Sequence, residues 1–366
     1  AQAQAAKANG LSARDQAAAF KDAAYIAAQS AASAVAYQDL SALALTKAVT
    51  AVDVFIYDTS KDSDGGAWRH RCVGTSWYRE PLNTATRGAR REFPAVAVIV
   101  AEASKITIYD GDDPDLPMWM VFNGGASGSG LMPLIAGGYP ITSILAANAE
   151  MCAAHGTGLF RCNFVLDSGL DNRGSPYSPT RFTTNIAQRS AAAFVVDNTL
   201  PQIVNRAARD VAITVLPEAP IDHATRLPVQ TIAVATAGGV SVIKDDGTVV
   251  SGDIGKSILT VGFDDRSLFW TTGSVGYWAM YTALDRLKSG LSISPYENSI
   301  FATSQGNTWH PKIPAVGAID RLISDGETGL VAGDMNLGLS RLTTGNGYKN
   351  TTSRNDRMLL QTTSLF

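Results

Sequence analysis

The chain has 366 residues, 38.6 kDa, 45% hydrophobic and only 17% charged, which is the composition of a folded protein with a sizeable core and excludes a disordered chain. A formal net charge of -3 and a pI near 5.8 provide no basic field for nucleic acid or an anionic membrane. No run of about eighteen apolar residues offers a membrane span.

The chain opens on alanine, without the basic-then-apolar order of a signal peptide, and reads as a processed chain or part of a longer one. Residues 1–49 are set apart from the rest: alanine fills 17 of the first 36 positions, with no proline and a single glycine, Gly10. That is helix composition. Ser12 followed by Asp15 offers a capping start, and Ala13, Ala17, Phe20, Ala24, Ala27, Ala31 and Ala34 are spaced 4-3-4-3-4-3, the seam of a coiled coil. The expectation is a helical stalk that packs with other copies, most simply as a homotrimer. A helix lying on its own domain is the alternative, because small residues also permit that close approach. Leu40, Leu43 and Leu45 mark its docking or turning point.

From Ala51 the period changes to short apolar runs separated by Gly, Asp, Asn and Pro. Residues 98–109 (VIVAEASKITIY) and 232–243 (IAVATAGGVSVI) can be laid over one another without a gap, and each reads as strand, tight turn, strand. Residues 257–270 and 322–342 repeat the shape more loosely. Recurrent hairpins without intervening helices suit a propeller, a barrel or a sandwich, and the small residues of 234–239 suit the crowded inner strand of a propeller blade. Two stretches, 201–209 and 277–291, are expected as short helices.

Motifs for chemistry are sparse. Gly255-Lys256-Ser257 lacks the upstream glycine of a phosphate loop, and residues 124–130 contain neither a dinucleotide nor a nucleophile-elbow pattern. His70, His155, His223 and His310 have no paired spacing for a metal and are expected as isolated surface or turn residues. Residues 58–65 and 110–115 crowd carboxylates as a calcium loop does. However, 26 of the 33 acidic residues are aspartate, which suits turn closure through side chain to backbone bonds. Cys72, Cys152 and Cys162 form no disulfide framework, although Cys152 and Cys162 are spaced for one cross-hairpin bridge. Arg87, Arg90 and Arg91 read as a solvated loop, and Trp119, Trp270, Trp278 and Trp309 as core or, alternatively, sugar-stacking residues. No catalytic residue, metal ligand or cofactor is expected.

The alanine-rich helix running into a turn-rich β domain resembles the tail-fibre and appendage proteins of tailed bacteriophages. That resemblance implies a stalk that attaches to the particle and a β domain that projects outward. Residues 63–68 (SDGGAW) and 306–309 (GNTW) also resemble the Asp-box turns of propellers such as sialidases, and imply blade turns. The reading is thus a mainly β protein with a propeller-like domain over 50–366 and a helical stalk over 1–49. It would serve as an extracellular, non-enzymatic virion component whose partners are its own copies, other tail proteins and a host-surface glycan. A secreted carbohydrate-binding or glycoside-hydrolysing propeller is the alternative.

Overall fold

The computed structural model describes residues 51–124, 140–189, 194–252 and 255–263, together with the strands that follow as far as residue 364. The stalk expected over 1–49, its seam from Ala13 to Ala34 and Trp309 lie outside the described residues. All described helical elements are 3-10 helices of three to eight residues, and the strands pair antiparallel within their sheets.

Five sheets follow one another along the chain, each a meander of sequential strands. The first contains β1 (Ala51–Asp58), β2 (Val96–Glu102), β3 (Lys105–Asp110) and β4 (Met118–Asn123). The second contains β5 (Ile141–Ala147), β6 (Glu150–His155), β7 (Gly158–Asn163), β8 (Ser168–Arg173), β9 (Thr180–Phe182) and β10 (Phe194–Val196). The third contains β11 (Ala208–Thr214), β12 (Thr231–Thr236), β13 (Gly239–Ile243) and β14 (Val249–Gly252). The fourth has β15 (Ile258–Phe263), β16 (Ser267–Thr272) and β17 (Ala279–Ala283), and the fifth β18 (Arg321–Ser324), β19 (Gly329–Asp334), β20 (Gly338–Thr344) and β21 (Leu360–Ser364). The turn Asp113–Leu116 belongs to a separate compact unit and is closed by the Leu116 N–H on the Asp113 carbonyl at 2.9 Å.

The first strands of successive sheets, β1, β5, β11, β15 and β18, lie next to one another in that order, which makes the arrangement propeller-like. Cores form between neighbouring sheets and not within them. On β12, Ile232 and Val234 join the cluster shared with the second sheet, while Ala233 and Ala235 join the one that contains Trp270 of the fourth. A strand buried on both faces has no polar alternation, and TIAVAT has none. The two laid-over hairpins are β2–β3 and β12–β13, with Ile99 opposite Ile108 and Ala233 opposite Val242. Both occupy the second and third places of their sheets, so the small residues of 234–239 lie one strand further out than expected.

Two expected helices are corrected. Residues 201–207 are irregular and run into β11, where the β-branched Val211, Ile213 and Thr214 favour a strand. Residues 279–283 are β17, paired with β16, so that part of 277–291 is strand.

Candidate functional site

Asp53 and Asp62, before and after the rest of β1, meet Ile144 and Asn148 of the second sheet, and Gln230 meets Ala147, so the links that follow β1, β5 and β11 gather at one end of the sheets. The second sheet turns there in two residues, Asn148 and Ala149, both at positive φ. The first sheet instead sends out residues 59–95 before β2, and the third sends out 215–230 before β12. Long excursions on a rigid scaffold are the usual place for function.

Asp62 is the centre of this end. Its carboxylate accepts from the Tyr57 hydroxyl at 2.5 Å, the Trp68 indole N–H at 2.7 Å and the Asn148 N–H at 2.8 Å. The Tyr57 oxygen in turn accepts the Ala149 N–H at 2.9 Å, and Gln230 donates to the Ala147 carbonyl at 2.7 Å. The tight turn is thereby gripped from both excursions. Burial raises Asp62 above the ordinary carboxylate value, with the bonds it accepts opposing that shift. Gly66, at φ +80° with its missing Cβ 2.7 Å from the Thr59 hydroxyl, allows the chain to fold back over the site.

Behind Asp62 lies an aromatic cluster of Trp68, Trp77, Phe93, Trp119 and Phe164, all at most 1% exposed, with Phe93 4.8 Å from both Trp119 and Phe164. Against it sits a buried charge group. Arg189 donates to Glu80 at 2.6 Å and to the carbonyls of Val121 and Thr86 at 2.7 Å each. Arg87 stacks 4.4 Å from the Trp119 ring and donates to the carbonyls of Trp119 and Arg91. Burial lowers Arg87 to about 10 and raises Glu80, which its two arginines only partly offset.

At the other end of the second sheet, His155 meets Asp171 at 3.1 Å while the Thr157 hydroxyl lies 3.0 Å from its second ring nitrogen. The Thr157 N–H also points at that nitrogen, which favours the tautomer that donates from Nε2 to Asp171. A hydroxyl, an imidazole and a carboxylate in line have the form of a nucleophile relay. However, His155 and Asp171 are both fully buried, Arg173 occupies the second oxygen of Asp171 at 2.6 Å, and no reacting group could approach.

Several sequence expectations are corrected here. The arginines are not a solvated loop: Arg87 is 1% exposed, and Arg90 bridges Asp110 and Asp112 at 2.8 and 2.6 Å. Asp112 also accepts the N–H groups of Ala95 and Val96, so the carboxylates of 110–112 hold the start of β2. Asp58 caps the turn that follows β1, Asp64 pairs with Arg71 at 2.7 Å, and the crowded carboxylates of 58–64 are spent on internal bonds. Among the described residues no three His, Cys, Asp or Glu side chains converge for a metal. His155 is buried, whereas His70 and His223 are exposed. Cys152 and Cys162 are free thiols: Arg161 stands opposite Cys152, and Met151 opposite Cys162, so the two thiols point to opposite faces. Burial pushes Cys72 up to about 12, which keeps it a thiol at neutral pH. Trp119 and Trp270 are core residues at 1% exposure and provide no stacking platform. The SDGGAW segment lies within 59–95, not at a hairpin turn, and Gly255-Lys256-Ser257 leads into β15.

One constellation went unread in the sequence. Each of the first four innermost strands is bulged near its start, which places Asp53, Ser143, Asp210 and Thr260 in equivalent positions. Asp53 accepts the Ile144 N–H of the next sheet at 2.9 Å, Ser143 donates to Asp210 at 2.9 Å, and Asp210 accepts the Val261 N–H at 2.9 Å. The signal was available as the triplet Ala-x-Asp at 51–53, 208–210 and 318–320.

No family model and no curated protein matches the chain. Solved structures with some similarity include a candidate 6-phosphogluconolactonase from Bacteroides uniformis, 13% identical at a TM-score of 0.37, covering 73% of this chain and 66% of that one. Another candidate 6-phosphogluconolactonase, from Bacteroides fragilis, is 8% identical at a TM-score of 0.40, covering 73% and 66%. The Swd1 β-propeller domain of Myceliophteria thermophila is 10% identical at 0.39, covering 73% and 67%. The chain thus spans about two thirds of the length of each. With every score below 0.5, the likeness transfers neither activity nor ligand to this chain.

Proposed function

We propose that this chain is a structural attachment protein, in which a propeller-like β domain presents the end built by residues 59–95 and 215–230 while the alanine-rich segment 1–49 joins it to other copies. The observation that carries this reading is the use made of the chemically capable residues at that end. Asp62, Glu80, Arg87 and Arg189 bond to one another's loops and to backbone, the pattern of a scaffold and not of a reaction centre. Within the reading, the virion appendage of a tailed phage is the preferred setting, on the resemblance of the seam Ala13 to Ala34 followed by turn-rich β-structure. A host-surface glycan is the ligand class proposed for the loop end.

The test is the mass in solution of the intact chain and of a version lacking 1–49, by light scattering on a sizing column. An oligomer that becomes a folded monomer supports the stalk; a monomer in both cases overturns it. A screen with fluorogenic glycosides tests the other half, and turnover abolished by a single Asp→Asn change would remove the structural reading in favour of a glycoside hydrolase.

A further inference from the structure

The two excursions that build the loop end differ in charge. Residues 59–95 contain seven Lys and Arg against four Asp and Glu, a net of +3 in a chain whose total is -3, whereas residues 215–230 contain one Arg against two acids. The four acids of the first excursion are engaged: Asp62 holds the Trp68 indole, Asp64 pairs with Arg71, Glu80 with Arg189, and Glu92 accepts the Tyr78 hydroxyl at 3.1 Å. Three of its cations are less so. Lys61 is 82% exposed and lies 3.9 Å from Asp58, Arg79 is exposed, and Arg69 gives its donors to the carbonyls of Gly66 and Phe93, which leave its charge in place. The outside of this excursion therefore presents positive charge.

The same excursion holds apolar groups out to water. Ala67–Gly74 is a 3-10 helix of eight residues, longer than the three or four at which such helices usually stop. Side chains three apart eclipse one another in it, so Ala67, His70 and Val73 share one face and are all exposed, while Trp68 and Cys72 are buried. Val73 is 55% exposed, and Leu166, in the turn between β7 and β8, is 44% exposed. That turn is fastened to the helix on either side of Val73: the Cys72 thiol lies 3.8 Å from the Phe164 carbonyl oxygen, and the Ser76 N–H donates to Asp167 at 2.6 Å. Two aliphatic groups are thus held close together on a rigid support, on the helix that carries Arg69 and next to the turn Trp77–Arg79.

We propose that this surface, formed by Val73, Leu166, Lys61, Arg69 and Arg79, binds a glycan that carries carboxylates. The proposal rests on the glycan reading of the loop end and adds the charge of the ligand and the excursion that holds it. The cations take carboxylates spaced along the sugar chain, and the C–H faces of the rings lie on Val73 and Leu166. Charge density selects this partner over nucleic acid: a duplex with one charge per ~1.7 Å needs a broader basic footprint than three cations on a chain of net charge -3.

Affinity electrophoresis of the full chain tests it, in native gels cast with polygalacturonate, alginate or polysialic acid, each beside a gel that holds the same polymer with its carboxyl groups methyl-esterified. At least one of the acids should slow the chain, and esterification should abolish the effect. Lys61→Ala with Arg79→Ala should weaken the retardation about tenfold, and Val73→Asp with Leu166→Asp should remove it. All four positions are exposed, and circular dichroism confirms that each variant is folded. Equal retardation by acid and ester overturns the proposal and leaves the glycan reading of the loop end standing. No retardation by any of the three acids also overturns it, and a panel of neutral glycans then decides the wider reading separately. Retardation that is indifferent to both pairs of substitutions places the ligand elsewhere and overturns it. Double-stranded DNA that slows the chain as strongly as the acids do assigns the surface to polyanions in general and overturns the choice of a sugar.

Discussion

The first and third sheets share the same hairpin and the same bulged inner strand, yet different chains leave that strand and return to it. In the first, residues 59–95 bring in Asp62, Trp68, Trp77, Glu80, Arg87 and Phe93, which build a core of their own against the second sheet. In the third, residues 215–230 stay short and contribute mainly Leu227 and Gln230 to that same core. The difference teaches that the repeated hairpins set the frame, whereas burial of charge and aromatic area is concentrated where one excursion folds back over its neighbour.

The largest expected effect breaks the comparison at its charges. Arg189→Ala leaves Glu80 buried beside Arg87 alone and removes a charged donor from the Val121 and Thr86 carbonyls, the latter keeping the Val121 N–H, so urea unfolding should show a loss of ~3–5 kcal/mol. In the third sheet, Lys244→Ala removes an ion pair whose partner Asp246 is 54% exposed, and the same measurement should find less than ~1 kcal/mol. Equal losses at the two sites would contradict the contrast.

Glycine separates the two regions next. A Cβ on Gly88 would sit 1.8 Å from the Met118 carbonyl oxygen, against the backbone of β4, so Gly88→Ala must displace strand or loop at a cost of ~2–3 kcal/mol. Gly247, in the β13–β14 turn, lies at φ +80° in open space, and its change to alanine should cost only ~1 kcal/mol of backbone strain. Thermal melting of the two variants side by side checks the order.

The smallest effect is in pH. Burial raises Asp62 and Glu80, so the folded chain holds protons there that the unfolded chain has released. Their contribution therefore declines as pH rises from the ordinary 3.8 and 4.5 through the raised values. For Asp171, burial alone would raise the value, but His155 and Arg173 carry it below 3.8, and its contribution is lost as pH falls through and beneath that point. Urea midpoints followed from about pH 3 to about pH 7 should flatten on the alkaline side in Asp62→Asn and on the acid side in Asp171→Asn. A variant that leaves its own side unchanged would remove that residue from the account.

How far the sequence could be read differs between these features. The hairpins of 98–109 and 232–243 were legible with their turns, because β-branched runs broken by Gly or by Ala-Ser carry strand and turn in neighbouring residues. Arg87 was misread as a solvated loop residue and His155 as a surface histidine. Each is buried through partners distant in sequence: Arg87 by the Trp119 ring, and His155 by Asp171 on a strand two places away in the sheet. The Asp53 and Asp210 clasps left a trace in the Ala-x-Asp triplet, but its meaning depends on which sheets are neighbours.

By itself, then, the sequence determined a mainly β chain of recurrent hairpins, the special composition of residues 1–49 and the use of aspartate at turns. These follow from local rules of strand period, helix propensity and side chain to backbone bonding, which need only nearby residues. Only the tertiary structure decided which strand is innermost, which arginine loses water to stack on tryptophan, and that Asp62 gathers donors from the first sheet and from the two-residue turn of the second. Burial and long-range hydrogen bonding depend on what the folded chain brings together, and neighbours in space leave little record in the order of residues.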